Sequence, residues 1–497
     1  MFIKTLKIKN LKCFGDNVAP LEFNFPDGKV SGSGLNILVG ENNTGKSTVF
    51  ESIDFLRDGT KKDIKNIKNK KSASDEISVE LTFSGAINDV IENFSQDNKK
   101  GVFKKYVFKD TNDKEYFRLF RTSKDIKSIQ LWDNKESKFK NESGIDAPLK
   151  KLFEANFVWS DTNPNDEVSF GATTICGNLL REIVKKFEET PTYTTFATQF
   201  HKTFNDSDSG LRKELKEIEA RTQKIFSEQF SDAQISFHFD ELKIDSFFKN
   251  TKIEIMEPDG IPTYMEEKGS GMQRSVALAL LQVYAEELIK HPENPSMAKP
   301  FFLFIDEPEI CLHPQAQIKL LGAILELSKT KQIFITTHSP YFFKNNAVKN
   351  AGLFLFKKDK SHNLEVLSIK DKSWQLFPWS PSWGEINYHA YNLPTIEFHD
   401  ELYGFLHQKY IDSSKDEQEA KKRSYLDEFD IYLKTKTTQT RKWTPERGWE
   451  TKTEKDVSLQ TFIRDKIHHP ENNIMKAASY SDDELQSSIE EMTNLCH

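Results

Sequence analysis

Gly40-Glu41-Asn42-Asn43-Thr44-Gly45-Lys46-Ser47 lies between a short apolar run, Gly34-Leu35-Asn36-Ile37-Leu38-Val39, and a helical pattern from Thr44 to Leu56. The octet matches G-x-x-x-x-G-K-[ST] and has the strand before and the helix after that the motif needs. Gly40 and Gly45 allow a tight turn in which successive loop N–H groups point at phosphate oxygens. Asn42, Asn43, Thr44 and Thr48 are expected to line the same nucleotide. The helix N-terminus adds its partial positive charge. Lys46 is expected to reach the β- and γ-phosphates, and Ser47 to ligate magnesium. The bland alternative is a glycine turn that merely precedes a helix.

Further along, Phe301-Phe302-Leu303-Phe304-Ile305 is continuously apolar, as in a parallel strand covered on both faces. It runs into Asp306-Glu307-Pro308. Asp306 is expected to support the metal, and Glu307 to orient and deprotonate the attacking water. Alone, two carboxylates at a strand end also describe a solvated turn. A second buried run, Lys331 to Thr336, leads into Thr336-Thr337-His338-Ser339-Pro340. His338 there can sense a γ-phosphate, or it can be an ordinary strand-end histidine satisfied by backbone. Upstream, Lys268-Gly269-Ser270-Gly271-Met272-Gln273 opens an apolar helix expected from Met272 to Ile289. Ser270 and Gly271 at a helix N-terminus make an anion site suited to the γ-phosphate of a nucleotide held by a second copy. The alternative is a glycine-rich helix start.

The 497 residues correspond to about three domains. With 37% hydrophobic and 29% charged residues, disordered and fibrous classes are excluded. The formal net charge of −7 gives no global reason to bind nucleic acid, which leaves only a local patch. No apolar run is long enough to span a membrane, and Met1 to Asn10 lacks a signal-type apolar region. Cys13, Cys176, Cys311 and Cys496 form no C-x-x-C pair, so neither a zinc site nor a disulfide framework is expected and the cytoplasm is the natural compartment. Residues 76–160 alternate as β-strands do, 175–230 read as helical, and short strands return near 234–256. After about residue 370 a Trp/Pro/Ser cluster, Trp379 to Gly384, opens a charged helical region with a polar loop around 434–456.

The order of phosphate loop, long insertion, Gly-Ser-Gly, Asp306-Glu307-Pro308-Glu309 with Leu312-His313-Pro314, and Thr337-His338-Ser339-Pro340 resembles the ABC-type ATPases related to the OLD and SMC groups. Many of those are bacterial anti-phage defence proteins. The resemblance implies ATP and Mg2+ as ligands, with Lys46 and Ser47 at the phosphates and metal. It also implies Asp306 as metal support, Glu307 as base, His338 as switch histidine, and Ser270 and Gly271 as the signature closing over a partner's ATP. The implied assembly is a homodimer or larger homo-oligomer held through its ATP sites. The implied fold is α/β: a P-loop ATPase head with a mixed sheet and an antiparallel β subdomain, an inserted helical region and an appended α-helical domain. The expected division is 1–170 and 236–370 for the two halves of the head, 171–235 for the insertion and 371–497 for the appendage. The Q-loop glutamine finds no place in the middle of the chain. Long coiled-coil arms are missing, and no D-x-D of a TOPRIM nuclease follows residue 340.

Phe462 to Asn472 contains Arg464-Asp465-Lys466-Ile467-His468-His469, which resembles the R-x-x-x-x-H motif of HEPN ribonucleases. These cut RNA without metal, the histidine handling protons and the arginine stabilising phosphate charge. Residues five apart on a helix lie roughly 140° apart, whereas Arg464 and His468 lie about 40° apart, and Pro470 puts His469 at a helix end. The structural alternative is that both histidines complement the helix C-terminus. Glu397, His399 and Glu401 do not share one face, which argues against a metal site. Two outputs remain open. One is a ribonuclease in this chain acting on tRNA-like RNA. The other is a scaffold that holds a separately encoded effector nuclease until a phage protein triggers release, as in the Septu and PARIS types of system. A repair ATPase of SMC type is a third reading.

Overall fold

The computed structural model describes residues 1–160, 187–188, 190–204, 206, 208–229, 252–258, 260–287, 300–343, 349–359, 361–447, 450–451 and 453–496. Within the expected insertion Pro191–Phe204 and Gly210–Gln229 are helices, whereas 171–186 and 230–235, the 234–251 part of the strands read near 234–256, and the ends of the expected domains near 170 and 235 lie outside the described residues. The chain forms two compact units: residues 1–160, 293–309 and 313–497 make the first, and 161–292 with 310–312 the second.

The first unit is built on two sheets. Strands β1 (Phe2–Lys9), β2 (Leu21–Glu22), β4 (Ser78–Ser84), β5 (Phe108–Lys109), β6 (Glu115–Thr122), β7 (Asp125–Asp133) and β8 (Lys138–Asn141) form an antiparallel sheet in the order β2-β1-β4-β6-β7-β8, with β5 on β6. Strands β3 (Leu35–Gly40), β9 (Glu154–Val158), β12 (Phe301–Asp306), β13 (Gln332–Thr337), β14 (Gly352–Lys358) and β15 (Leu364–Ser368) form the other in the order β15-β14-β3-β13-β12-β9. All its pairings are parallel except β14 with β15. Every residue of β3, β12 and β13 is buried, as parallel strands covered on both faces must be.

Helix α1 (Lys46–Asp58) packs against β3, β4 and β6 and joins the two sheets into one core. Phenylalanine supplies much of that core. Phe304 stacks on Phe334 at 4.7 Å and meets Phe50 of α1 edge-on at 5.3 Å, while Phe83 stacks on Phe302 at 5.9 Å. Such ring pairs add to the burial of large apolar area. The helix starts at Lys46, not Thr44, because Gly45 has φ +105°, a left-handed conformation outside the helix.

In the second unit, β10 (Glu254–Met256) pairs antiparallel with β11 (Pro262–Tyr264), and α2 (Ser270–Glu287) follows. Helix α2 begins two residues before the expected Met272, so Ser270 and Gly271 form its first turn. Met265 and Ala277 centre a small local core.

The appended region carries α4 (Trp383–Tyr391), α5 (Ile396–Asp412), α6 (Leu459–His468) and α7 (Asp482–Cys496), counting Pro314–Leu327 as α3. Their apolar faces meet in a core of their own around Phe398, Leu402, Phe429, Phe462 and Ile489. The region is not all helix. In place of the polar loop expected around 434–456, Thr440–Trp443 pairs with Lys455–Ser458 and Glu446–Arg447 with Glu450–Thr451. Trp443 explains the change: it is buried against Phe462 at 6.0 Å, and one large apolar anchor suffices to pin a short strand pair. A capping box starts α4, Ser382 Oγ accepting from Glu385 N (3.1 Å) and Glu385 Oε2 from Ser382 N (2.8 Å). Helix α4 packs on β14 and β3, which brings the appended region onto the phosphate-loop sheet.

Candidate nucleotide site

Parallel pairing puts the C-terminal ends of β3, β9, β12 and β13 along one edge of the sheet, where ligands of open α/β sheets bind. The phosphate loop leaves β3, Asp306 ends β12, and Thr337 ends β13. The sequence-distant residues therefore converge through strand order alone.

The loop is tightly wound on itself. A Cβ at Gly45 would lie 2.1 Å from Cys13 Sγ, and the φ of +105° strains any residue with a side chain there. The Lys46 ammonium donates to the carbonyls of Gly40 (2.8 Å) and Glu41 (2.9 Å), and Thr44 Oγ1 donates to the Glu41 carbonyl (2.7 Å). Burial pulls the Lys46 ammonium down to about 8, against the opposing pull of Glu307, Asp306 and Glu309. Lys46 is thus cationic at neutral pH and begins to lose its charge near pH 8. Phosphate binding needs the ammonium, so nucleotide affinity is expected to be flat below about pH 7 and to weaken above about pH 8, approaching tenfold per pH unit. Titration of nucleotide binding from pH 6.5 to 9.5 checks this; an affinity that holds to pH 9.5 contradicts it.

Asp306 is the hub of the opposite wall. Its Oδ1 accepts from Ser47 Oγ (2.8 Å) and Thr336 Oγ1 (2.6 Å), and its Oδ2 from Ser160 Oγ (2.8 Å). Glu307 follows with φ +49°, an uncommon backbone for a non-glycine residue, its N–H held by Thr336 Oγ1 (3.0 Å). That bend turns the Glu307 carboxylate to 3.5 Å from His338 Nε2. Lys12, Cys13, Asn42, Asn43, Gly45, Lys46, Ser47, Thr48 and Glu307 line a cavity of about 570 Å³. A second cavity beside it, about 650 Å³, shares Lys12, Cys13 and Asn43 and extends along Thr44, Lys70, Lys71 and Lys358. A nucleotide whose phosphates sit on the loop has room for its sugar and base on that side.

Among the described residues no group of three or more His, Cys, Asp or Glu converges on one point. The convergence at Asp306 is instead one carboxylate with three hydroxyls, from Ser47 in the first turn of α1, Thr336 of β13 and Ser160 beyond β9. An all-oxygen set of one carboxylate and a hydroxyl, completed by phosphates and water, is what magnesium-nucleotide sites use.

Several members of this wall carry no motif. Ser160 stands two residues past β9, and only the parallel pairing of β9 with β12 brings it to Asp306. Thr336 and Glu309 lie inside quoted motifs, but nothing in spacing assigns them partners. Lys12 and Cys13 reach the loop because the chain turns back after β1, with Lys12 at φ +49° and paired to Glu51 at 2.6 Å.

Ser270 and Gly271 belong to the second unit. Ser270 is exposed at the first turn of α2, and a Cβ at Gly271 would lie 2.4 Å from the Cys311 carbonyl. In the appended region Arg464 pairs with Asp465 (2.7 Å), while His469 is exposed just beyond α6 and pairs with Glu471 (3.2 Å). His468, not His469, shares a helix face with Arg464, and its Nε2 lies 3.2 Å from Asp400. His399 is fully buried, with Nε2 3.0 Å from Ser488 Oγ.

A model of the AAA ATPase domain matches residues 1–152 and 149–343. The chain belongs to this AAA ATPase family. It is 26% identical over 351 residues to the Old nuclease of Escherichia phage P2, covering 68% of this chain and 58% of that protein. It is 24% identical to the Septu protein PtuA of Bacillus thuringiensis, covering 70% of this chain and 74% of the relative. The chain thus spans under two thirds of the length of the Old nuclease it matches. Among solved structures it is similar to an Smc head bound to the C-terminal winged-helix domain of ScpA, at 17% identity and a TM-score of 0.43, covering 74% of this chain and 98% of that one. Both sheets of the first unit fall within the AAA ATPase match except β14 and β15, and the whole appended region lies beyond it. Among the described residues no helix is long and apolar enough to cross a membrane.

Proposed function

We propose that this AAA ATPase binds and hydrolyses ATP as a switch in anti-phage defence, two copies closing around two nucleotides and reopening after hydrolysis. The observation that carries it is the convergence of Lys46, Ser47, Asp306, Glu307 and His338 at the ends of three adjacent strands. Loop N–H groups and Lys46 hold the phosphates. Magnesium, held by Ser47 and Asp306 with Ser160 beside them, would neutralise charge on the phosphate oxygens. Glu307 accepts the proton of the attacking water, and His338 meets the γ-phosphate. Ser270 and Gly271 close over the nucleotide of the other copy. An ATP-driven switch of this kind works in the cytoplasm.

The head is residues 1–170 and 236–370, the insertion 171–235, and the appendage 371–497 is the docking module for a separately encoded effector nuclease, released when a phage protein triggers the switch. The similarity to PtuA supports that output, as does the pairing of Arg464 and His469 with different acidic neighbours. Purification with the neighbouring gene products tests it. A stable complex whose effector is inactive until ATP turnover is expected; recovery of this chain alone from its full operon overturns it.

A second reading, a HEPN-like ribonuclease in the appendage, is favoured by one observation. Arg464 and His468 share a face of α6, and Asp400 backs His468 as a carboxylate backs a general base. It predicts RNA cleavage in EDTA that falls at least about 100-fold in Arg464→Ala and in whichever of His468→Ala and His469→Ala removes the base. Cleavage undiminished in all three variants excludes it.

A further inference from the structure

Glu309 carries no role in the reading above, yet one of its carboxylate oxygens alone accepts from three consecutive residues. Its Oε1 accepts from Thr337 Oγ1 (2.8 Å), from His338 N (2.6 Å) and from Ser339 N (3.2 Å). Its Oε2 is buried and has no hydrogen-bond partner among the described residues. A buried, half-satisfied carboxylate costs stability, so its retention calls for a reason. Burial pushes the Glu309 carboxyl up, and the nearby charge of Glu307 adds to that.

The bonding runs in register. Glu307 N–H binds Thr336, and Glu309 binds the next three residues, so the segment after β12 is laced to the segment after β13. Ser339 Oγ is further held by Gln317 Oε1 of α3 at 2.5 Å. On the other side the Tyr391 hydroxyl of α4 donates to the Thr337 carbonyl (3.4 Å), and its ring centroid lies 6.3 Å from that of His338. The backbone that carries His338 is therefore gripped from the head by Glu309 and touched from the appendage by Tyr391.

We propose that Glu309 is a positioning residue for the γ-phosphate sensor: its carboxyl fixes the Thr337–Ser339 backbone so that His338 stands against Glu307 and the transferred phosphate. The inference rests on the ATPase reading. Glu309 touches neither substrate nor metal; it acts through His338. Truncation frees a segment at the reacting end of the site, where a displacement of about 1 Å can cost about 100-fold in rate. It leaves the phosphate loop, and with it ground-state binding of the α- and β-phosphates, intact.

The test compares Glu309→Ala, Glu309→Gln and His338→Ala in the full chain, reading kcat, KM, and the ratio of ADP to ATP dissociation constants, with thermal unfolding as a control on folding. Glu309→Ala is expected to lower kcat about 10- to 100-fold with KM changed less than about threefold, and to shrink the preference for ATP over ADP. Glu309→Gln keeps an acceptor oxygen and is expected to retain kcat within about fivefold. Adding Glu309→Ala to His338→Ala should cost little more, because both remove one function. Fully additive losses, a Glu309→Ala kcat within threefold of the parent, or a Glu309→Gln kcat as low as that of a folded Glu309→Ala each overturn the inference. If Glu309→Ala fails to fold, the Glu309→Gln rate alone decides. A parent chain that binds no ATP overturns the ATPase reading instead.

Discussion

Replacing Lys46 with alanine is expected to abolish measurable ATP binding. The Lys46 ammonium sits inside the phosphate loop, donating to the Gly40 and Glu41 carbonyls. It also faces the charges of Glu307, Asp306 and Glu309. Removing it takes away charge-assisted contacts to the β- and γ-phosphates and leaves three carboxyl groups turned on an incoming polyanion. The combined loss is expected to exceed about 100-fold in affinity, or about 3 kcal/mol. Calorimetry with ATP and magnesium measures it, and the loop itself should survive because Gly40, Thr44 and Gly45 keep their own contacts. Affinity within threefold of the parent would show that the nucleotide binds elsewhere.

The second large effect is of opposite character. Glu307→Gln preserves shape and the bond from its N–H to Thr336, but an amide cannot take the proton of the attacking water. Turnover is expected to fall at least about 100-fold with ATP affinity unchanged within about threefold. Because hydrolysis reopens the proposed dimer, this variant should accumulate as a closed dimer with ATP and revert with ADP. Light scattering distinguishes the two states. Unimpaired hydrolysis by Glu307→Gln would remove Glu307 as the base. A monomer that binds ATP without hydrolysing it would remove the sandwich and leave the base in place.

The phosphate loop and the Asp306-Glu307 strand end were legible because each is a local pattern with a local cause. A glycine is needed where φ is +105° and a Cβ would strike Cys13, and an apolar run is needed where a strand is covered on both faces. Ser160 was not legible. A serine two residues past an ordinary strand carries no pattern, and only the pairing of β9 beside β12 gives it a partner. Glu309 sat inside a quoted motif, yet its three donors come from residues 28 to 30 positions away. The strand pair at Thr440–Trp443 was hidden because its stability comes from Trp443 under Phe462, not from alternation along the strand. The histidine beside Arg464 was also decided in three dimensions, since α6 ends at His468 and Asp400 arrives from α5.

The amino-acid sequence by itself therefore determined which groups make the proposed ATPase core: a glycine-rich loop with its lysine, two adjacent carboxylates at one strand end, and a histidine at another. Those identities follow from backbone geometry and side-chain type within a few residues of each other. Tertiary structure alone decided which residues support them. Strand order β14-β3-β13-β12-β9 brings Ser160, Thr336, Glu309 and Tyr391 to one edge from positions as far as 351 residues from the phosphate loop's Gly40, and side-chain hydrogen bonds over such separations leave no local trace in the chain.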